Sequence, residues 1–474
     1  MVFSSNIFLF VFLPLTLLGY FIIEKKFKNT FLLLASLFFY FWGEPKFTVI
    51  MLASIMINYV FGMLIYYSQN TRKSRGIKRA ILTLAVIGNL GLLFYYKYFD
   101  FSLGLVNQLF NINIPLRNIA LPIGISFFTF QGMTYIIDLY WEKVPVQKNP
   151  LKIALYISLF PQLIAGPIVR YQDVNEQIDN RTLSIEKFSE GIKRFAIGLG
   201  KKTIIANTVA LAADNIFGVP YNENTIATAW LGVLCYSLQI YYDFSGYSDM
   251  AIGMGKMLGF DFLENFNYPY ISKSITEFWR RWHLSLSTFF RDYVYIPLGG
   301  NRKGNVYVNL LIVFFLTGLW HGASLNFIVW GLWHGAFMLI ERILRKVSVI
   351  KFEIPSVIKR IYTILIVLIG WVFFRAVDLK YAMGYLGVMF GFVKSHNVGF
   401  TTMYYLDYFI IFIIITGIIA STGILSKWMN RIEEIRSNEV MFQAAKTVYI
   451  GIILLASAVF VMTSTYNPFI YFRF

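Results

Sequence analysis

Long apolar segments alternate with short polar segments along the whole chain. A membrane-spanning helix needs about 20 apolar residues, and shorter apolar runs at membrane depth need a partner or a buried position. The pattern predicts an all-α polytopic integral membrane protein with about 11–13 transmembrane helices plus re-entrant and interfacial helices. The predicted spans are residues 7–23, 30–43, 47–67, 80–97, 119–141, 203–217, 229–244, 304–320, 325–341, 361–377, 404–425 and 447–463.

A broken helix is predicted at residues 153–169. This run is apolar, but it contains Pro161, Gly166 and Pro167 and is flanked by charged segments. Irregular backbone at membrane depth is tolerated only where it is buried in protein or lines a cavity. We therefore expect a re-entrant segment here.

Two further segments are too polar to be spans. Residues 170–190 are typical of a cytoplasmic loop that leads into an interfacial helix, whereas residues 245–302 interleave aromatic and charged side chains, as on the wall of a cavity. Because neither segment resembles a separate soluble domain, one membrane domain is predicted for residues 1–474.

Basic clusters predict which side of the membrane each loop faces. Cytoplasmic loops of membrane proteins accumulate Lys and Arg, and such clusters occur at 25–28, 72–79, 193–202 and 342–351. If all four face the cytoplasm, the intervening segments must cross the membrane an even number of times, as the predicted spans do. The N-terminus and a C-terminal tail motif at 464–474 are then extracytoplasmic.

Composition supports the membrane assignment and explains the net charge. Hydrophobic residues make up 57% of the chain and charged residues 14%, against about 45–50% and about 25% in soluble proteins. The excess of 42 Lys and Arg over 25 Asp and Glu gives +17. Loop orientation accounts for this excess, so no nucleic-acid partner is predicted. Cys235 is the only cysteine, and its apolar surroundings favour a packing role.

His283 is the first of two candidate chemical groups among only four histidines. Helical spacing places Arg280, His283, Ser287 and Arg291 on one face. One interpretation is an interfacial helix whose basic side chains contact lipid phosphates. The other is a basic wall that binds an anionic, phosphate-bearing ligand, because the planar guanidinium group of Arg binds phosphate through two hydrogen bonds.

His321 lies between two apolar runs and is the second candidate. An ionisable residue inside a membrane span is a candidate for function by default, and a neutral imidazole acts as a general base. The alternative is a core histidine with satisfied hydrogen bonds. His334 follows thirteen residues later, on a different face of a continuous helix, which argues against one paired site. No third ligand stands at suitable spacing, so no metal is predicted.

Residues 241–260 hold weaker candidates at the end of a predicted span. Asp243 and Ser245 are polar residues among glycines whose spacing favours close helix packing. The glycines match no nucleotide-binding loop.

Five segments contain distinctive motifs: LPIGISFFTFQGMTYIID at 121–138, FPQLIAGPIVRY at 160–171, YYDFSGYSDMAIG at 241–253, NFNYPY through PLGGNR at 265–302, and FFLTGLWHGASLNFIVWGLWHG at 314–335. Together they resemble a known family, the bacterial membrane-bound O-acyltransferases. The resemblance is greatest to the branch containing the integral subunits of alginate and peptidoglycan O-acetyltransferases, and it extends to the first and last residues of the chain. Teichoic acid D-alanyl transferases are more distant relatives with the same central motifs.

The resemblance implies a fold, a location and a site. The fold is a ring of transmembrane helices around a thinned centre, in the bacterial cytoplasmic membrane, with a cytoplasmic entrance for the acyl donor. The active-site histidine is the one in the first Trp-His-Gly motif, here His321. The second functional position lies in the Arg-Trp-His motif, here His283. No cofactor is bound, and acetyl-CoA is the donor substrate.

The last six residues, Phe469 to Phe474, suggest a route for the acyl group. They resemble the C-terminal motif of a small accessory protein in teichoic acid D-alanylation, where a tyrosine is proposed to carry the acyl group. Tyr471 is therefore a candidate acyl relay. The alternative is that Tyr471 anchors the tail in an interfacial aromatic belt.

The leading hypothesis is a membrane O-acetyltransferase that passes acetyl from cytoplasmic acetyl-CoA to a cell-surface polysaccharide. The acetyl group would leave through Tyr471 or through a secreted SGNH-type esterase-like partner. A D-alanyl transferase that uses an acyl carrier protein is one alternative. A transporter or flippase is another, although no repeated halves are found. The donor-binding candidates are Arg280, Arg281, Ser287, Arg291 and Trp320.

Overall fold

A computed structural model describes residues 1–68, 74–164, 166–347, 354–436, 439–464 and 466–470. All regular structure in these ranges is helical, as predicted. The chain forms two compact units, residues 1–195 with 248–263, and residues 196–247 with 264–474. The prediction of a single domain stays a prediction. Arg72, Lys73, Lys351 and Tyr471 fall outside the described residues.

The first unit consists of apolar helices joined by short turns. A π-helical turn, Phe8–Phe12, precedes the first of them, and the helix that enters the second unit begins at Ile185. The helices are α1 (Leu13–Ile22), α2 (Lys28–Gly43), α3 (Thr48–Tyr67), α4 (Ser74–Leu93), α5 (Phe99–Phe110), α6 (Ile125–Tyr140), α7 (Pro150–Ser158), α8 (Phe160–Leu163), α9 (Tyr171–Asn180) and α10 (Ile185–Gly200).

The second unit contains the candidate chemical groups. A π-helical turn, Lys201–Ala206, joins α10 to the next helix, and a second one, Arg291–Tyr295, follows α14. The helices are α11 (Asn207–Gly218), α12 (Ile226–Met257, of which residues 248–257 belong to the first unit), α13 (Ile275–Trp279), α14 (Leu284–Phe290), α15 (Val306–His321), α16 (Leu325–Val347), α17 (Ser356–Arg375), α18 (Leu379–Met389), α19 (Tyr408–Ser421), α20 (Ile424–Arg436) and α21 (Val440–Thr463).

Six helices in the described ranges are long and apolar enough to cross a membrane. A seventh crossing results if the pair Tyr408–Ser421 and Ile424–Ile435, bent by 62°, is one broken span. Phe8–Ile22 and Val306–His321 are shorter apolar helices. The chain is thus polytopic. The expected count of about 11–13 included several segments that form helices below the usual spanning length. The six long helices are Thr48–Tyr67, Arg75–Phe110, Ile185–Gly218, Leu325–Val347, Ser356–Arg375 and Val440–Thr463.

The predicted boundaries hold in some places and fail in others. The broken helix is confirmed, because α7 ends at Ser158 and α8 begins at Phe160. The basic cluster at 193–202 was wrongly interpreted as a loop, since one continuous helical segment runs over Ile185–Gly218. Lys202 within it is only 1% exposed. Charge alone does not distinguish a loop lysine from a buried, paired one.

Two glycines bring α15 and α16 together and so position the histidine at the end of α15. A Cβ on Gly318 would lie 2.2 Å from the carbonyl oxygen of Phe327, and one on Gly331 would lie 2.2 Å from that of Phe314. Only glycine permits this backbone approach. Substitution at either position would force the two helices apart.

Candidate functional site

A small apolar cavity surrounds the imidazole of His321. We call it the histidine chamber, and its volume is about 10 Å³. His321 is the one titratable side chain among the described residues that line it. The other lining residues are Ile240, Phe244, Trp282, Trp330, Trp371, Phe374 and Ile470.

His321 is the last residue of α15 and is held by aromatic rings. It is 4% exposed. Its ring lies 4.9 Å from that of Trp330 and 5.1 Å from that of Phe374, both edge-on. The next residue, Gly322, has an extended backbone and caps the helix. The imidazole therefore sits in a low-dielectric site, where electrostatic interactions are stronger than in water.

His283 lies close to His321, at the break between α13 and α14. The two ring centres are 6.4 Å apart. His283 is fully buried and has a left-handed backbone, with φ of 45°. A non-glycine residue in this region is uncommon and costs about 1–3 kcal/mol. Burial lowers the pKa of His283 to about 3, so its imidazole is neutral at physiological pH.

Asn265 fixes the tautomer of His283. Its Oδ1 accepts hydrogen bonds from the backbone N–H of Ser285 at 3.1 Å and from the Ser285 hydroxyl at 2.9 Å. Since a backbone N–H can only donate, the Asn265 atom facing it is the oxygen. His283 Nδ1, 3.1 Å from the same oxygen, must then carry the proton. Nε2 is left as an acceptor, without a hydrogen-bond partner among the described residues.

The prediction that His283 shares a face with Arg280, Ser287 and Arg291 is wrong. The helix assumed to carry all four is interrupted, because His283 adopts a left-handed conformation between α13 and α14. His283 turns into the core against Phe244, at 4.6 Å. The other three residues line a separate cavity.

That second cavity, which we call the basic cavity, has a volume of about 640 Å³. Five of its lining residues are cationic and none is acidic among those the structure describes. Thr317, one helical turn before His321, lies on its wall, so the cavity extends toward the histidine along α15. The cationic lining residues are Arg280, Arg291, Arg342, Arg345 and Lys346.

The start of α13 is fixed by caps at the edge of the basic cavity. The Ser274 hydroxyl accepts from the backbone N–H of Glu277, and the Glu341 carboxylate accepts from the N–H groups of Ile275 and Thr276. Such capping satisfies the donors that a helix N-terminus leaves unpaired. It holds Thr276 and Arg280 in position on the wall.

Two predicted donor-binding residues lie outside the basic cavity. Arg281 forms an ion pair with Glu277 at 3.0 Å and donates to the Asn267 carbonyl. Trp320 is buried between the two histidines, with ring centres 5.9 Å from His283 and 4.9 Å from His321. Neither lines the cavity: Arg281 is engaged by Glu277 and Asn267, and Trp320 packs in the aromatic core beside the histidines.

The secondary candidates His334 and Ser245 are buried but away from the chamber lining. His334 stacks on Phe278 and packs edge-on against Trp279 and Trp330, at 5.5 and 5.3 Å. Neither its ring nitrogens nor the Ser245 hydroxyl has a hydrogen-bond partner within the described ranges. His334 does not line the histidine chamber, and no group of metal-ligating side chains occurs among the described residues.

The C-terminal tail enters the core of the second unit. Phe469 and Ile470 are 4% and 3% exposed. Tyr466 donates its hydroxyl hydrogen to Asp214, and Phe469 packs against Tyr247, with ring centres 4.8 Å apart. The tail thereby brings Ile470 into the histidine chamber.

Asp243 and Lys202 hold this tail through a buried ion pair. Their side chains are 2% and 1% exposed, and Lys202 Nζ lies 2.5 Å from Asp243 Oδ1. Asp243 Oδ2 accepts from the backbone N–H of Ile470 at 2.9 Å, and Lys202 donates to the Pro468 carbonyl. A secondary candidate from the sequence, Asp243, thus anchors the tail.

Lys202→Met is expected to lower the free energy of unfolding by about 3–5 kcal/mol, because it leaves the buried Asp243 carboxylate uncompensated. Thermal unfolding in detergent measures the effect. Adding Asp243→Asn should recover part of the loss, since no unpaired charge then remains. Lys201→Met, on the same turn but partly exposed, is the matched control. An equal loss of unfolding free energy in Lys202→Met and Lys201→Met would contradict the role of the Lys202–Asp243 ion pair as the anchor of the tail.

Sequence reasoning missed several residues of the site. Arg342, Arg345 and Lys346 were interpreted only as an orientation signal, although their spacing places them on one face of α16. Lys202 was assigned to a loop. Asn265 carries no sequence signal of its own, because its contact with His283 depends on the fold.

The fold and the site together define a polytopic membrane enzyme. Comparison with known proteins agrees: the family model described as membrane-bound O-acyltransferase matches residues 142–376. The probable alginate O-acetylase AlgI of Pseudomonas putida is 44% identical over 398 residues, covering 83% of this chain and 81% of that protein. The corresponding Pseudomonas aeruginosa protein is 45% identical, with 83% and 75% covered.

A third relative acts on another polymer. The peptidoglycan O-acetyltransferase of Helicobacter pylori is 37% identical over 426 residues, covering 82% of this chain and 80% of that protein. The chain belongs to the membrane-bound O-acyltransferase family. It is a multi-pass bacterial membrane acyltransferase.

Proposed function

We propose that the protein transfers acetyl from acetyl-CoA in the cytoplasm to a cell-surface polysaccharide. The observation that carries the proposal is the basic cavity, which extends along α15 toward His321. The names of the alginate and peptidoglycan relatives favour acetyl over D-alanine. The protein lies in the cytoplasmic membrane with both termini outside, and it binds no cofactor or metal for this reaction.

The basic cavity binds the phosphates of the donor. Five cations line the wall, of which Arg291 pairs with Asp292 at 2.7 Å and Arg345 lies 4.0 Å from Glu341. The remaining excess of positive charge attracts a polyanion, and guanidinium groups bind phosphate oxygens in pairs. With the phosphates held there, the acyl end of the donor extends along the α15 face that carries Thr317 and His321.

His321 acts as the general base. It takes the proton from the acceptor hydroxyl, and the oxygen attacks the thioester carbonyl carbon. The carbon–sulfur bond then breaks, while the new carbon–oxygen bond remains. The imidazolium donates the proton to the departing thiolate. His283 Nε2 contributes a second acceptor beside the reacting groups, oriented through Asn265.

Tyr471 is the proposed first acceptor. It follows Ile470 directly in the chain. Ile470 lines the histidine chamber and is fixed there through Asp243. A phenol, with a pKa of about 10, needs a base to act as a nucleophile, and His321 supplies one.

The acetyl group then passes to a secreted partner. An extracytoplasmic SGNH-type esterase-like protein takes the acetyl from the tail and transfers it to the polysaccharide. The lipid bilayer separates this second step from the donor. If Tyr471 is not the carrier, a nucleophile on the partner is the direct acceptor.

Arg280→Gln and Arg342→Gln are each expected to raise the KM for acetyl-CoA about tenfold with little change in kcat. Each substitution removes one charge-assisted hydrogen bond to phosphate, worth about 1.5–3 kcal/mol. The rate of CoA thiol release in the first turnover of the purified protein, measured against acetyl-CoA concentration, gives both quantities, because turnover stops once the tail is acetylated and no partner removes the acetyl group. Arg360→Gln, exposed on α17 and outside the cavity, is the control. A fall in kcat at unchanged KM would argue against donor binding here.

A further inference from the structure

One wall of the histidine chamber is supplied by the tail itself. Ile470 lines the cavity together with His321 and is 3% exposed. The residue is positioned through its backbone, because its N–H donates to Asp243 Oδ2 at 2.9 Å. A change of the Ile470 side chain therefore leaves the bond that fixes its position intact.

The chamber has room for no more than one very small group. Its volume of about 10 Å³ is close to the minimum of about 10–15 Å³ needed for one water molecule. Apart from His321 its lining is apolar, which suits the methyl end of an acyl group and excludes the water that would hydrolyse a thioester.

Ile470 is one of two aliphatic side chains in the lining of the chamber, the other being Ile240. Trp330, Trp371 and Phe374 pack on each other, with ring centres 4.9 to 6.0 Å apart. Ile470 belongs to the same core, but trimming it removes less packing than trimming one of these large rings, and its position is fixed through its backbone N–H.

We infer that Ile470 is a specificity-determining residue whose side chain closes the chamber against acyl groups longer than acetyl. The inference rests on the proposed function, and it names the substrate class as two-carbon acyl thioesters. The reaction is the same for every acyl group: the carbon–sulfur bond breaks, the carbon–oxygen bond forms, and one proton moves from the hydroxyl to the thiolate through His321. The acyl groups differ only in the space that they need beyond the position of the acetyl methyl group.

The test compares acetyl-CoA, propionyl-CoA and butyryl-CoA as donors for the full-length protein in detergent. Released CoA thiol is measured for the wild type, Ile470→Val, Ile470→Ala and Phe469→Leu. Phe469 is the matched control, because it is buried in the same tail against Tyr247 and does not line the chamber.

Ile470→Ala is expected to raise the propionyl-to-acetyl rate ratio about tenfold, the lower range for one methylene in an apolar pocket. Ile470→Val should raise it less, and Phe469→Leu should leave it at the wild-type value. If Ile470→Ala proves inactive, the propionyl-to-acetyl rate ratio of Ile470→Val tests the inference instead.

Three results would overturn the inference. A wild type that releases no thiol from any donor rejects the proposed function, and the inference with it. If the wild type is active but the Ile470 variants keep its propionyl-to-acetyl rate ratio, the inference about Ile470 is rejected and the proposed function is not. An equal shift in Phe469→Leu assigns the effect to loosening of the tail and also rejects the role of the Ile470 side chain.

Discussion

His321→Ala is expected to lower the rate of CoA thiol release from acetyl-CoA by about 10²–10⁴-fold, the contribution typical of a general base. His321 is the one titratable side chain in the described lining of the histidine chamber. At 4% exposure, almost no water reaches the imidazole to replace it as a base. Thiol release by the purified protein, at saturating acetyl-CoA, measures the effect.

His334→Leu is the control for this prediction. His334 occupies an aromatic cage formed by Phe278, Trp279 and Trp330, where an apolar side chain of similar size is accommodated. We expect activity to persist with at most a modest loss of stability. If His321→Ala stays active while His334→Leu loses activity, the assignment of the base is reversed.

Tyr471→Phe is expected to abolish acetylation of the surface polysaccharide. Phenylalanine keeps the ring and removes only the hydroxyl that would carry the acetyl group, so the loss reports on the oxygen alone. Cells that express the variant in place of the wild type are compared by the acetyl content of their isolated polysaccharide.

The control for the tail is Tyr449→Phe, which removes a hydroxyl of the same kind from the exposed face of α21, at 54% exposure. It should leave polysaccharide acetylation unchanged. Full acetylation with Tyr471→Phe would reject the tail as carrier and leave the nucleophile of the secreted partner as the acceptor.

Local pattern was sufficient for the fold class and for the leading histidine. Apolar periodicity predicted the all-α fold, and Pro161 predicted the break between α7 and α8, because both depend on neighbouring residues. His321 stood out since an ionisable residue between apolar runs is costly. The structure places His321 in an apolar chamber, and its role as the active-site base stays a prediction.

The rest of the site depends on contacts between residues far apart in the chain. His283 leaves the predicted basic face because its backbone is left-handed, and Asn265 holds that conformation from 18 positions away. In the sequence, Lys202 resembles a cation of a cytoplasmic loop. Only the fold brings Asp243 and the tail into contact with it. Helical periodicity assumes an uninterrupted helix and an average environment, and neither holds at these residues.

The most direct test of the account is whether the tail receives the acetyl group. Purified wild-type protein is incubated with acetyl-CoA, digested, and the C-terminal peptide containing Tyr471 is analysed by mass spectrometry. We predict one acetyl group on Tyr471 in the wild type and none in His321→Ala. Release of CoA thiol by the wild type with a C-terminal peptide that stays unmodified at every time point would contradict the acyl relay.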